Sequence, residues 1–284
     1  MTGRFQVLRR PSPRNWGGVL MLSAALAATP AVAGPAETYF ERSLVATAGA
    51  RCGLFDAATT HALDAGAAQS RGAALRAGIS EAEVTDRRLR AFARASQIAC
   101  DDAELHMVAE RVRSAFSAWA RTPRMEFPGD RSSWQVVRSA YASQSWRVRQ
   151  DGVGVIFGFA GAGTGHTLAL AVADPQVVTA RLVVRDPARA PSAWVVRAGI
   201  AETPPASASQ VFMAGRGRVV PETLSESGGK LFRFSTAAAD AIGLLDPRER
   251  FAVELVRADG DTRIVTLGAG DFAAARAFLA MGTL

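Results

Sequence analysis

Between Glu37 and Arg121 the apolar positions return every three or four residues, and no proline interrupts them until Pro123. That spacing is the signature of amphipathic helices. After Asp101-Asp102, the residues Leu105, Val108, Ala109, Val112, Phe116 and Trp119 form one stripe, with Asp101 and Glu104 placed to cap its start. Ser80-Glu81-Ala82-Glu83 has the capping-box pattern. In the helix that follows it, Leu89, Phe92, Ala93, Ser96 and Cys100 share one face, which is expected to be buried. An Ala-rich run from Ala57 to Arg76 makes a further helix. Its Gly66 and Gly72 each cost about 1 kcal/mol relative to alanine, so a close helix crossing is expected there. Three or four helices therefore fill residues 34–121.

From Trp134 onward the period shortens to two. Short β-rich runs such as Trp134–Ala140, Trp146–Gln150, Val153–Ala160, Thr167–Ala173, Val177–Val184, Trp194–Arg197, Phe251–Arg257 and Arg263–Leu267 are separated by turn residues. Trp146, Val148 and Gln150 alternate with Ser145, Arg147 and Arg149, which predicts one wet face. Ala258-Asp259-Gly260-Asp261 reads as a hairpin turn. A helix over Asp271–Met281 closes the chain, with Phe272, Ala275, Phe278 and Leu279 facing the sheet. Residues 122–133 mix proline, glycine and charge and read as a linker. The expected fold class is α+β: an N-terminal helical region with one disulfide at 34–121, then an antiparallel β-sandwich with a C-terminal helix at 134–284.

The start of the chain has its own texture. Arg4, Arg9, Arg10 and Arg14 precede an apolar run from Val19 to Ala28 and the small residues Ala31-Val32-Ala33. This is the layout of a secretory signal peptide over residues 1–33 with cleavage near Ala33. The apolar run is shorter than the ~20 residues of a membrane span. The expectation is a periplasmic or secreted protein with no stable membrane span. Removing the leader changes the reading of the charge as well. Of 33 basic residues 29 remain against 26 acidic ones, a net of +3, and no basic block survives to track a nucleic acid. In an oxidising compartment the pair Cys52 and Cys100 reads as a structural disulfide.

Candidate chemistry is sparse. Gly158-Phe159-Ala160-Gly161-Ala162-Gly163-Thr164-Gly165-His166 follows a strand but spells neither GxGxxG nor a P-loop, and reads as a flexible hairpin tip. Within it His166, with Gly163 and Gly165, is the candidate ligand rim. Ser227-Gly228-Gly229-Lys230 matches SxxK, but two glycines before a β run will not form the helical turn that brings the lysine over the serine. No GxSxG elbow exists. His61 with Asp64 and His106 with Glu110 are pairs, fewer than the three or more ligands of a metal site. No catalytic residue, metal or cofactor is assigned.

The β half resembles the invasion-associated locus B family of small exported bacterial β proteins. Trp134-Gln135-Val136-Val137 resembles that family's early strand. The ending resembles its close: a short helix from Ala239 to Leu245, strands Phe251–Leu255 and Arg263–Leu267, and Asp271-Phe272 opening the last helix. The chain departs from the family in having no cysteine in the β half and in adding a helical region. The resemblance implies an envelope-associated, non-enzymatic β-sandwich and transfers no site residue. The leading expectation is thus an exported binding or accessory module for another envelope protein, with Trp134, Trp146 and Trp194 as candidate interface anchors. The alternative is a periplasmic hydrolase or small-ligand protein with a pocket between the two regions near Gly158–His166.

Overall fold

The structure is a computed structural model that describes residues 34–195 and 202–284. The expected leader, and the Arg197 end of the Trp194–Arg197 run, lie outside the described residues. Four helices come first: α1 Pro35–Cys52, α2 Ala57–Arg76, α3 Glu81–Gln97 and α4 Ala103–Ala120. Side-chain oxygens cap three of them, Asp56 on Thr59 N–H, Ser80 on Glu83 N–H and Asp102 on Glu104 N–H, so the cap of α4 is Asp102 and not Asp101.

The α3 face expected to be buried is the outer one. Val84, Ala91 and Ala95 turn inward instead, while Leu89 and Phe92 stand exposed. Small residues explain the choice. Ala95 with Ala48 of α1 lets the two backbones approach closely, and Leu44, Ile98 and Leu105 close the small core around them. The Cys52–Cys100 disulfide, Cα–Cα 5.4 Å, joins the end of α1 to the α3–α4 turn. Because the helix face is reversed, Cys100 is exposed and does not end a buried stripe.

The strands are β1 Arg124–Phe127, β2 Trp134–Val137, β3 Ser145–Gly152, β4 Val155–Gly161, β5 Thr167–Val172, β6 Val177–Arg185, β7 Ser209–Met213, β8 Arg218–Val219, β9 Lys230–Arg233, β10 Arg250–Arg257 and β11 Thr262–Gly268. Helices α5, Thr236–Gly243, and α6, Phe272–Ala280, complete the order. One antiparallel sheet runs β1-β2-β3-β4-β5-β9-β8, the other β11-β10-β6-β7. Phe157 of the first meets Phe251 of the second at 5.3 Å across the shared core. The stretch expected as a linker contributes β1, which pairs with β2.

The expected wet face of β3 is also absent. A register shift between Trp146 and Val148 turns those two side chains to opposite faces. Val148 enters the main core, whereas Trp146 packs under Val220 and Leu224 on the other side of the sheet. Opposite this bulge sits Gly158, where a Cβ would collide with the Val148 carbonyl. Gly158 to Gly161 therefore belong to β4, and the hairpin tip begins only at Ala162.

The helical layer and the sandwich share one core. α6 is apolar nearly all round and lies between α2 on one side and β1, β2 and β3 on the other. Ala62 and Ala65 of α2 join the main core, and Gly72 lets α2 approach Asp271, where a Cβ would collide. The crossing expected from the helix glycines is present, and Arg76 seals it with a paired contact to Asp271 at 2.8 and 3.0 Å. Arg138, 2% exposed, extends from the end of β2 and donates to the carbonyls of Gly282 and Met281 after α6 and of Trp119 and Ala120 at the end of α4.

Hydrogen bonds to a charged group are worth about 1.5–3 kcal/mol each. Arg138→Met keeps most of the volume and strands those carbonyls, so a loss of about 3–5 kcal/mol is expected. Urea unfolding should show a lower midpoint with an unchanged slope.

Candidate binding cleft

β6 ends at Arg185, and the chain turns at once through Asp186-Pro187. The Asp186 carboxylate accepts from Ala188 N–H at 2.9 Å, and the Asp186 carbonyl accepts from Ala190 N–H at 2.8 Å, so the turn is fixed locally. Arg185 fixes it from below, donating through Nη1 to the Ala190 carbonyl at 2.7 Å. Its Nε and Nη2 hold both oxygens of Glu249 at 2.7 and 2.8 Å, a bidentate pair 3% and 1% exposed. Glu249 also accepts from the backbone N–H of Trp194 and of Asp246. One buried pair thereby anchors both ends of the 186–194 loop.

Glu81, the first residue of α3, reaches the same guanidinium at 3.4 Å and Arg71 of α2 at 3.9 Å. Asp246 is fully buried and holds Arg248 through Nε and Nη2. Above these groups, between α3, the 187–195 loop and Leu244, lies a cleft of about 940 Å³. A smaller cavity of about 320 Å³ shares Arg71, Thr85 and Leu244 with it and runs on toward Tyr39 and Asp271. Leu89 and Leu244 flank the cleft, 58% and 62% exposed. Phe92 stands one helical turn beyond Leu89.

The floor charges act on one another. Burial pushes the Glu81 carboxyl above its ordinary range; Glu249 and Asp246 add to that, and Arg185 and Arg71 oppose it. Burial works against the Arg185 cation, but its hydrogen bonds and attraction to Glu249, with Glu81 and Asp246, hold its pKa higher than usual. The hydrogen bond to Asp246 does the same for Arg248.

The residues proposed from sequence lie elsewhere for the most part. His166 sits on the β4–β5 turn, its ring edge-on to Phe159 at 5.3 Å. Burial against the protein, with Arg147 and Arg276 nearby, lowers its pKa and leaves it neutral at neutral pH. Gly163 donates to the Tyr141 carbonyl at 2.8 Å and accepts from Arg147, so the expected flexible tip is tied at its centre. Gly165 is exposed, and none of the three lines the cleft. A cavity between the helical and β regions exists, but not beside Gly158–His166. Trp134 is fully buried, donating to the Ala269 carbonyl, and Trp146 is buried with its N–H on the Leu224 carbonyl. Both are core residues and not surface anchors. Trp194 alone of the three is half-buried beside the cleft, between the lining residues Ala193 and Val195. His61 meets Asp64 at 3.8 Å and His106 approaches the Cys100 carbonyl at 3.0 Å. Among the described residues no group of three or more His, Cys, Asp or Glu can hold a metal ion.

Sequence reasoning missed Arg185, Glu249 and Asp246. The one local signal was Asp246-Pro247-Arg248-Glu249-Arg250, five polar or rigid residues set between Leu244-Leu245 and Phe251.

Two outcomes check this account. Glu249→Gln leaves Arg185 under-compensated in the interior and should cost about 3–5 kcal/mol, whereas replacing both residues by methionine should recover most of it. Glu81 holds its proton more tightly in the folded chain than in the unfolded one. Its contribution thus favours the fold at acidic pH and is lost as pH rises through the folded value. The stability of Glu81→Gln relative to wild type should rise as pH increases from about 4, the ordinary glutamate range, in urea titrations. Comparison with protein-family models, curated proteins and solved structures finds no match for the chain, so the cleft is interpreted from its own geometry.

Proposed function

We propose that the chain is an exported envelope protein that acts by binding, and that its cleft seats an apolar segment of another envelope protein. The observation that carries this reading is the pairing of exposed Leu89 and Leu244 across a cleft whose floor charges are already matched within the chain. With the charges satisfied, apolar burial is the driving force left to a ligand, about 1.5–3 kcal/mol for each side chain fully covered. The leader-like first 33 residues support the compartment. The resemblance of the β half to the invasion-associated locus B family supports an envelope role without catalysis.

A second reading, a hydrolase or small-ligand protein, draws on Glu81. A carboxyl that keeps its proton to higher pH beside a cavity is suited to general-acid work. A hydrolytic activity lost in Glu81→Gln with the fold intact would favour it.

Light crosslinking of tagged protein in native periplasm, followed by mass spectrometry, separates these readings. Wild type and a distant surface variant, Met213→Asp, should capture the same stoichiometric partner, and Leu89→Asp and Leu244→Asp should reduce its recovery at least tenfold. Equal recovery by all four proteins, or no partner with any, would contradict the reading.

A further inference from the structure

The smaller cavity that adjoins the cleft is lined by Tyr39 of α1, Arg71 of α2, Thr85 and Arg88 of α3 and Leu244 after α5. The Tyr39 ring packs with Ala74, Leu75 and Val84, and the residue is 6% exposed. Its hydroxyl has no hydrogen-bond partner among the described residues and is not sealed off, so it is open to an incoming acceptor. Arg88 is exposed and makes no ion pair or hydrogen bond among the described residues.

The charge on these walls is one-sided. Asp271 is the carboxylate among the lining residues, and Arg76 holds both of its oxygens. Arg71 gives Nη1 to the Leu245 carbonyl at 3.2 Å. Its carboxylate contact, Glu81 at 3.9 Å, is the longest on the cleft floor, and that carboxyl stands nearer to Arg185 at 3.4 Å. Arg88 has no counter-charge of its own. Two guanidiniums and a phenol therefore offer donors to one small space for which the chain supplies no matching acceptor. A carboxylate is such an acceptor, and arginine binds it with paired hydrogen bonds. The cavity has about a third of the cleft's volume, 320 against 940 Å³, which gives room to the end of a segment and not to its continuation.

We propose that this cavity takes the C-terminal carboxylate of the apolar segment seated in the cleft, an assignment that rests on the cleft being the seat of such a segment. Arg88 and the Tyr39 hydroxyl donate to the carboxylate, and Arg71 adds its charge where the two spaces meet. The apolar residues that precede the chain end lie against Leu244 and Leu89. The partner is thus recognised at its terminus, with the segment running toward Tyr39.

The test immobilises the full chain and offers a mixture of eight-residue peptides, acetyl-Gly-Ser-Gly-Ser followed by four positions that are each Leu, Val, Phe or Ala. The mixture is made as free acids and as C-terminal amides, and retention is measured by mass spectrometry. Free acids should be retained at least tenfold over amides. Arg88→Gln and Tyr39→Phe should each reduce that preference at least threefold and leave retention of the amides unchanged, whereas Leu89→Asp should reduce acids and amides alike. No retention of either set, equal retention of both, or a preference that survives Arg88→Gln would overturn the proposal. If acids and amides are retained equally and both are lost in Leu89→Asp, the cleft keeps its apolar segment and only the chain-end assignment fails. Retention that Leu89→Asp leaves unchanged would overturn the reading of the cleft and this assignment with it. Amides ending in glutamate that are retained as well as the free acids would give the cavity to a side-chain carboxylate and equally overturn it.

Discussion

The guanidinium of Arg138 is where the two textures of this chain are joined. It sits at the end of β2, beneath the Phe278 ring at 5.2 Å, and gives its donors to carbonyls that terminate α4 and follow α6. Helix C-termini leave unmatched carbonyls that have to find donors when they are buried. One cation meets that need for two helices and, in doing so, fixes both against the sheet. The rest of the packing follows from this placement. α6 is trapped between α2 and the first three strands, while the alanine and glycine positions of α2 are covered by α6 at Gly72 and by α1 and α4 at Gly66.

A second arginine organises the opposite part of the molecule. Arg185 and Glu249 are both buried, and each would be costly alone. Together they hold the 186–194 loop against α3 and set the width of the cleft beside Leu89 and Leu244. Glu81 links that pair to the helical layer, so the cleft is built from both halves of the chain. Neither half contains it by itself.

The local features were legible in the sequence. Helix periodicity, the bounds of α2, the cap of Ser80, the β10–β11 hairpin and the Cys52–Cys100 pair all depend on neighbours in the chain or on residue type. What was not legible depended on partners distant in sequence. The face of α3 was misassigned because Leu89 and Phe92 make the more apolar stripe, while Ala91 and Ala95 make the closer fit to α1. A single extra residue at Arg147 reversed the side-chain alternation of β3, which no composition signal marks. The tryptophans were ambiguous between core and surface until their N–H partners were known. The cleft escaped for the same reason, since Arg185 and Glu249 are 64 residues apart.

The central claim is that the helices and the sandwich are one cooperative structure with one core. Hydrogen exchange by mass spectrometry on the intact chain, across a urea series, tests it most directly. The account predicts that amides in α2, α4 and α6 and in β2 to β5 lose protection together, with one midpoint and one slope. Loss of protection in the helices at lower urea, with the strands still protected, would contradict it and restore a picture of two independent domains.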